Sequence, residues 1–511
     1  MRKILTLLLI AMTAVAARAT DYNVPITVTV NGVMSEQSGV ITIVESNGFY
    51  DLTLKNFMLQ TISGPMGVGN VELKGIEPFQ DGNATLLITE DQVQMTDGDD
   101  PNVPMWLAST LPPVNVLLRG KIEGGHLRCY LDIDMMETLG QLIQVAIGEG
   151  WQMPNPGFEL WHSSSVGHEE PNGWHSFESA TGALASMAGH HLTKSKKAHS
   201  GEACARIYSS SIFGIVANGT MTTGRMNAAS AIAADPANNA YLDMSLTDVD
   251  GNGDPFYIPL YARPDSVAVW VKFRQGSVNS EHPYATVSAI ITDGTYYQDP
   301  EDKVYTNVVA KAKNNKIAAT GGEWVRVTAP FVYTENAVDP KAVLVTISTN
   351  ADPGQGSDGD EVLVDDIQFI YNAKVTSLKI KGVDVPGFSA DETSASYEMA
   401  LDEEITEDDI EVVVEGTTAH VVKKVGKIDD TDICLVTALS ADMSVMTDYV
   451  IIAKSGETAI RSLQTATNRP AAYFTLDGRQ AKTLLPGRIY ICRQADGTVI
   501  KVKSDTYRDS L

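Results

Sequence analysis

Asn155-Pro156-Gly157-Phe158-Glu159-Leu160-Trp161, answered by Pro171-Asn172-Gly173-Trp174 and closed far downstream by Val362-Leu363-Val364-Asp365-Asp366-Ile367-Gln368-Phe369, frames one domain of this chain. Val362, Val364, Ile367 and Phe369 cannot share one face of a strictly alternating strand, because Asp365-Asp366 shifts the phase. A β-bulge at that pair restores the alternation and puts both carboxylates at a strand edge. Hard oxygen ligands at such an edge suit calcium. Glu159, on the opening strand, comes near the same edge if the first and last strands pair. Two readings stand: a structural calcium site of Glu159 with Asp365 or Asp366, and solvated edge charges that discourage sheet-to-sheet aggregation.

The same segments resemble the frame of secreted β-sandwich modules that bind sugars, with an opening strand N-G-x-F-E, a turn P-x-G-W and a final strand V-D-D-I/V. Between them, Asp254-Pro255-Phe256 leads through Leu260-Tyr261-Ala262-Arg263-Pro264-Asp265-Ser266-Val267 into Val269-Trp270-Val271-Lys272-Phe273. This resembles the putative carbohydrate-metabolism domain family, PCMD. The resemblance implies a jelly-roll sandwich over residues 151–371 and a glycan ligand.

Working outward, the N-terminus has a basic start (Arg2, Lys3), an apolar run from Ile4 through Ala17 and an Ala17-Arg18-Ala19 cleavage triplet before Thr20. Residues 1–19 therefore read as a secretory signal peptide. No cysteine follows to carry a lipid, and no other stretch is long and apolar enough to span a bilayer as a helix. The expected protein is secreted or held at the cell surface, by an envelope attachment other than a membrane helix. Its 511 residues exceed one core and call for three or four domains. Long amphipathic helical patterns are scarce, so the expected class is all-β, built from sandwiches or barrels. A formal charge of −26 argues against nucleic acid, which draws on basic patches. Cys129, Cys204, Cys434 and Cys492 fall one to each proposed domain. That spacing excludes a disulfide framework within domains and points to single buried thiols.

Residues 20–150 alternate in seven or eight short runs, which suits a small closed barrel. Asp134 to Gly148 reads as a helix with Met135, Leu139, Leu142, Ile143, Val145 and Ala146 on its apolar face. Tyr50-Asp51-Leu52-Thr53-Leu54-Lys55-Asn56-Phe57 and Met66-Gly67-Val68-Gly69-Asn70-Val71 resemble the calycin-like barrel domains of Bacteroidetes secreted proteins. Whether the barrel holds an apolar ligand or is filled by its own side chains stays open at this level. Residues 372–456, with Val375 to Phe388 and Tyr397-Glu398-Met399, resemble cadherin-like or immunoglobulin-like spacers. Their acidic stretch Asp402 to Glu411 reads as a solvated turn. Residues 457–511 place two D-G turns and a P-G turn between alternating strands, a small hairpin meander. The order L-D-G-R, G-x-Y-I and K-V-x-K resembles the C-terminal sorting domain of the type IX secretion route. The overall expectation is a calycin-like barrel, a jelly-roll sandwich, an Ig-like sandwich and a C-terminal β segment.

Sugars stack their apolar C–H faces on aromatic rings and bond their hydroxyls to a few placed polar groups. Trp161, Trp174, Tyr261, Tyr296 and Tyr297 are the candidate ligand residues on that ground, with Trp161 and Trp174 open to a second reading as anchors of the polar loop between them. Trp270, alternating with valines, reads as core. Asp248-Val249-Asp250-Gly251-Asn252-Gly253-Asp254 copies the start of an EF-hand calcium loop, yet its twelfth position is Pro259 where a bidentate Glu belongs. Asp248, Asp250, Asn252 and Asp254 are thus candidates for a loop-type calcium site, against the alternative of a plain Asp/Gly turn. His162, His168, His175, His190, His191 and His199 cluster in sequence without a metal-ligand spacing. No nucleophile elbow, H-E-x-x-H pair or phosphate loop occurs. A glycosidase needs two carboxylates across a cleft, and acidic residues are too common here to single out a pair. Three functions follow in order: a non-catalytic glycan-binding surface protein, an adhesive scaffold for another protein, and a glycoside hydrolase.

Overall fold

The computed structural model describes residues 17–30, 33–61, 64–136, 140–164, 167–187, 189–212, 214–336, 338–392, 394–400, 404–416, 418–428, 431–454, 470–474, 480–481, 489–494 and 499–503. Most of the expected signal peptide, Leu139 of the expected helix, Asp402 and Glu403 of the acidic stretch, and the turns Asp477-Gly478, Pro486-Gly487 and Asp496-Gly497 lie outside them. The chain is all-β and forms two compact units, one ending at Gly148 and the other starting at Glu149. Among the described residues no helix is long and apolar enough to cross a membrane.

The first unit is one antiparallel sheet of nine strands: β1 (Arg18–Val30), β2 (Val33–Ser46), β3 (Phe49–Thr61), β4 (Gly64–Ile76), β5 (Pro78–Asp81), β6 (Ala84–Val93), β7 (Val114–Glu123), β8 (His126–Met135) and β9 (Gln141–Ile147). Their order is β4-β3-β2-β1-β9-β8-β7-β6-β5, so the first and last strands pair, Ile26 opposite Ile147. Period-two alternation sends Ile41, Ile43, Leu52, Leu54, Leu131 and Ile133 to one face, where they join Phe57 and Leu73 in a single buried cluster. Each such side chain contributes about 1.5–3 kcal/mol on burial. The outer edge of β4 is covered by the chain that follows β6: Asn70 N–H donates to Thr96 O at 2.7 Å and Leu107 N–H to Gly67 O at 2.9 Å. Among the described residues β4 and β5 stand at the two ends of the order and do not pair, so the sheet is a half-barrel and not the closed barrel expected.

The expected helix from Asp134 to Gly148 is instead largely β9. Ile143, Val145 and Ile147 point inward and Leu142 outward, a period-two pattern that the helical reading of the same apolar residues overlooked. The strand wins because β-branched side chains at alternate positions fill the gap between β1 and β8.

The second unit contains a two-sheet sandwich. One sheet runs β12 (Leu192–Ser195), β13 (Cys204–Tyr208), then strands Glu361–Ile370, Ser266–Arg274 and Val325–Pro330. The other is built around Ala342–Ser348, Ala285–Thr292 and Val308–Ile317. Val267, Val269, Val271 and Phe273 from one sheet meet Val287, Ala289, Ile291, Val345 and Ile347 from the other in the core. A third, three-stranded sheet, Arg225–Asn227, Asn239–Leu242 and Tyr297–Asp299, lies on the outside of the second: its Ala240, Leu242 and Tyr297 pack on Ile290, Val308 and Leu344. This added layer carries the site described below.

Farther along, Lys374–Ile380, Val383–Asp384 and Ile410–Glu415 face a four-stranded sheet of Ser394–Ala400, Met446–Lys454, Thr431–Leu439 and His420–Ile428, in which the first two pair in parallel. Pro470–Phe474, Gln480–Ala481, Ile489–Gln494 and Val499–Lys503 form a last small sheet, whose Ile491 packs with Ile433, Leu435, Val450 and Ile452. All four cysteines are buried and unpaired.

Candidate functional site

The bulge falls where the phase shift puts it. Gln368 pairs with Ala268 but Asp365 with Trp270, one extra residue on the Asp365 strand, and Asp366 takes a left-handed φ of 45°. The position is not an edge, however. Glu361–Ile370 is the central strand of its sheet, and Asp365 is fully buried, because the loop after β12 folds over it where β13 stops pairing. Asp365 accepts backbone N–H bonds from His199 (2.7 Å), Ser200 (3.3 Å) and Asp366 (2.9 Å). Asp366 bonds the Ser200 hydroxyl at 2.8 Å, and Glu159 accepts from Glu202 N–H and Ala203 N–H. Glu159, Asp365 and Asp366 therefore do gather on one loop. The groups they meet are N–H and O–H donors, whereas calcium takes oxygen lone pairs, so protein hydrogen bonds hold the loop in this arrangement. Burial, with the neighbouring Asp366 charge second, pushes the Asp365 carboxyl up to about 7.

The five expected ligand aromatics scatter. Trp174 is fully buried in the sandwich core, 5.3 Å from the Phe158 ring, and Tyr297 is buried under the third sheet. Neither presents a face to a ligand: turn Pro171–Trp174 and strand Tyr297–Asp299 each point the ring inward. Tyr261 is half-buried and so close to Gly150 that a Cβ there would lie 2.2 Å from its ring. Trp161 is half-buried, its Nε1 donates to Phe158 O at 2.6 Å, and Lys194 approaches its ring. Tyr296 alone of the five stands well exposed, beside Tyr241 at 5.7 Å. Trp270 reverses its expected role: the valines on either side point into the core, and the indole lies on the outer face under His199.

Tyr241 is the residue the sequence reading missed. In Asn239–Leu242 alternation buries Ala240 and Leu242, so Tyr241 faces out; likewise Met226 is buried and Arg225 faces out. Arg225, Tyr241, Asp243, Leu246, Asp248, Phe256 and Tyr257 line a depression on this surface. The Arg225 guanidinium sits 4.4 Å from the Phe256 ring centre, donates to Asp248 and to Ser179 O, and thereby fixes the loop that carries Asp248. The only sequence signal for Tyr241 was its place in a short alternating run.

The Asp248–Asp254 loop closes on itself. Asp250 Oδ1 accepts Asn252 N–H and Asp254 N–H, both at 2.8 Å, and Asp254 Oδ2 accepts Gly173 N–H at 2.8 Å and the Asn252 amide at 3.0 Å. Asp248 is spent on Arg225. Gly251 lets the loop lie against β10 (Trp161–Ser163), which pairs with β11 (Glu169–Pro171); a Cβ there would stand 2.9 Å from Ser163 O. That approach brings Asp250 Oδ2 to 3.3 Å from His162 Nε2 and 3.5 Å from His175 Nδ1. Burial pushes the His175 imidazole down to about 4, against the pull of Asp250. Nearby, His168 and His190 stack at 4.1 Å and both put Nδ1 about 3 Å from Glu178 Oε1. Four of the six histidines thus meet in two pairs, contrary to their unpromising spacing; His162 and His175 do so because β10, the turn after β11 and the Asp248 loop fold onto one another.

No protein-family model matches the sequence, and no curated protein matches it. Among solved structures the chain is similar to carbohydrate-binding modules from the β-sandwich superfamily, at 9% identity and TM-score 0.19, covering 67% of this chain and 96% of that one. It is also similar to the M60 catalytic domain with two CBM51 domains from Clostridium perfringens ZmpB, at 9% identity and TM-score 0.14, covering 94% of this chain and 41% of that one. At those superposition scores the likenesses decide nothing about ligand or reaction.

Proposed function

We propose that this is an exported, non-catalytic glycan-binding protein whose ligand site is the depression on the third sheet. The observation that carries the reading is the grouping of Tyr241 and Tyr257 with Asp243 around one depression, whose floor is Phe256 under Arg225, with Tyr296 beside Tyr241 at its side. The exposed tyrosine faces take the apolar side of a pyranose, and the Asp243 carboxylate with the tyrosine hydroxyls takes its hydroxyls. The PCMD-like frame, the signal peptide and the spacer-like sandwich belong to the same proposal: the flanking sheets hold the sugar-binding sandwich away from the cell surface.

A glycan-array screen of the full chain, run with and without calcium, tests this. Selective retention of an oligosaccharide class, with no reducing sugar released from it, is the expected result. A calcium requirement would add an ion at the remaining lone pairs of Glu159, Asp365 and Asp366. Silence on a broad array with a folded sample would sink the glycan reading and favour an adhesive scaffold for another protein.

A further inference from the structure

Three buried atoms around the Asp248–Asp254 loop have no hydrogen-bond partner: His162 Nε2, His175 Nδ1 and Asp250 Oδ2. Their side chains are 8%, 0% and 1% exposed, so solvent does not satisfy them. Orphaned buried polar atoms are costly, and three that face one another call for a common partner.

The protons are already placed elsewhere. Asn172 Oδ1 lies 3.1 Å from His162 Nδ1, and Pro255 O lies 3.4 Å from His175 Nε2. Each of those oxygens accepts, so each ring carries its hydrogen there and turns a lone pair toward Asp250. Two imidazole lone pairs and a carboxylate oxygen then converge with no donor among them. A cation is the partner that such a set lacks.

The spacing says which kind. Zinc holds nitrogen and carboxylate ligands at roughly 2.0–2.1 Å in a tetrahedron, whose edges are then about 3.3 Å long. The two distances from Asp250 Oδ2 to the imidazole nitrogens are 3.3 and 3.5 Å. A ring nitrogen of His162, a carboxylate oxygen of Asp250 and one of Asp254 lie within 4.8 Å of one another, which brings Asp254 within reach as a further ligand. Calcium takes oxygen ligands, so two imidazoles argue against it. The outer bonds from Asn172 and Pro255 are the kind that orient metal-bound histidines.

We propose that His162, His175, Asp250 and Asp254 form a structural site for one divalent transition ion of the zinc class. The ion fastens β10 and the turn after β11 to the loop that carries Asp248, and through it the rim of the depression: the His175 ring packs 4.5 Å from Phe256, on whose face Arg225 rests. The site stands whether or not that depression takes a glycan.

The test uses the full chain, stripped with a chelator and titrated with Zn2+ and, as an optical reporter, Co2+. One ion per chain is expected, with the strong visible absorption of tetrahedral Co2+, a higher Tm on loading, and X-ray absorption of the zinc form showing two imidazoles. That last readout needs no variant and so survives any folding defect. H162Q and H175Q should each lose stoichiometric binding, and N172A should weaken it by about 10- to 100-fold. H168A and H190A, at the neighbouring Glu178 group, should leave it unchanged. Absence of a bound ion in the wild type would overturn the proposal, as would binding that follows His168 and His190 or a site that takes Ca2+ and refuses Zn2+.

Discussion

His199 lies flat on Trp270, ring centroids 3.9 Å apart and planes 16° apart, while its Nδ1 stands 2.6 Å from Asp366 Oδ2. The stack closes the outer face of the bulge. It also shows why Trp270 offers no sugar platform, since the protein's own ring already occupies it. Beneath the stack, Asp365 is sealed from solvent with its three backbone donors.

That burial gives the fold a pH dependence. The Asp365 carboxyl is held up at about 7 in the folded state, against about 3.9 in an unfolded chain. A raised acid keeps its proton longer when folded, so its stabilising contribution is complete below the unfolded value and is lost as pH rises through the folded one. Thermal melts of the wild type are expected to fall from about pH 4 to pH 7, and D365N is expected to flatten that slope. Parallel slopes for the two proteins would show that Asp365 titrates normally.

Trp174 is a core residue, and its truncation should read as a stability defect. W174A is expected to cost about 3–5 kcal/mol in denaturant unfolding. W174F should cost clearly less, because it keeps the contact with Phe158 and removes an indole N–H that is buried without a partner. Equal losses for both would show that the packing around the ring contributes little.

The glycan reading places its energy on Tyr241 and Tyr296. Y241A and Y296A are each expected to weaken retention of the array-selected oligosaccharide by up to about tenfold, the size of one lost aromatic stack, with an unchanged Tm. W161A should leave retention intact. Loss of binding in W161A with none in Y241A would move the site to β10.

The four thiols should be silent in the folded protein. Burial raises Cys129 to about 12, Cys204 to about 11 and Cys434 to about 12, and raises Cys492 as well. Thiolate is the reactive form, so a chromogenic disulfide reagent at mild alkaline pH should titrate none before denaturation and four after it. A fast-reacting thiol in the native state would contradict the burial of that strand.

Much of the architecture was legible because strands announce themselves locally. Alternation around Ile41, Leu52 and Val267, and the phase break at Asp365-Asp366, follow from the period of two and need no knowledge of partners. The same logic failed at residues 141–147, where Ile143, Val145 and Leu142 satisfy both a helical and a strand pattern; only the vacancy between β1 and β8 chose between them. It failed again at Trp270, read as core and found on the outer face, and it left Trp174 open between platform and anchor, because what packs above each ring decides the matter.

By itself the sequence determined that this chain is all-β and that its bulge falls at two aspartates, since each follows from the order of side chains along one strand. Only the tertiary structure decided that Asp365 is central and buried, that Tyr241 and Phe256 share a depression, and that His162 and His175 meet Asp250. His175 and Pro255, which holds its ring, are 80 residues apart. No local period encodes such a meeting; it arises when separate loops are pressed together by the burial of the strands that carry them.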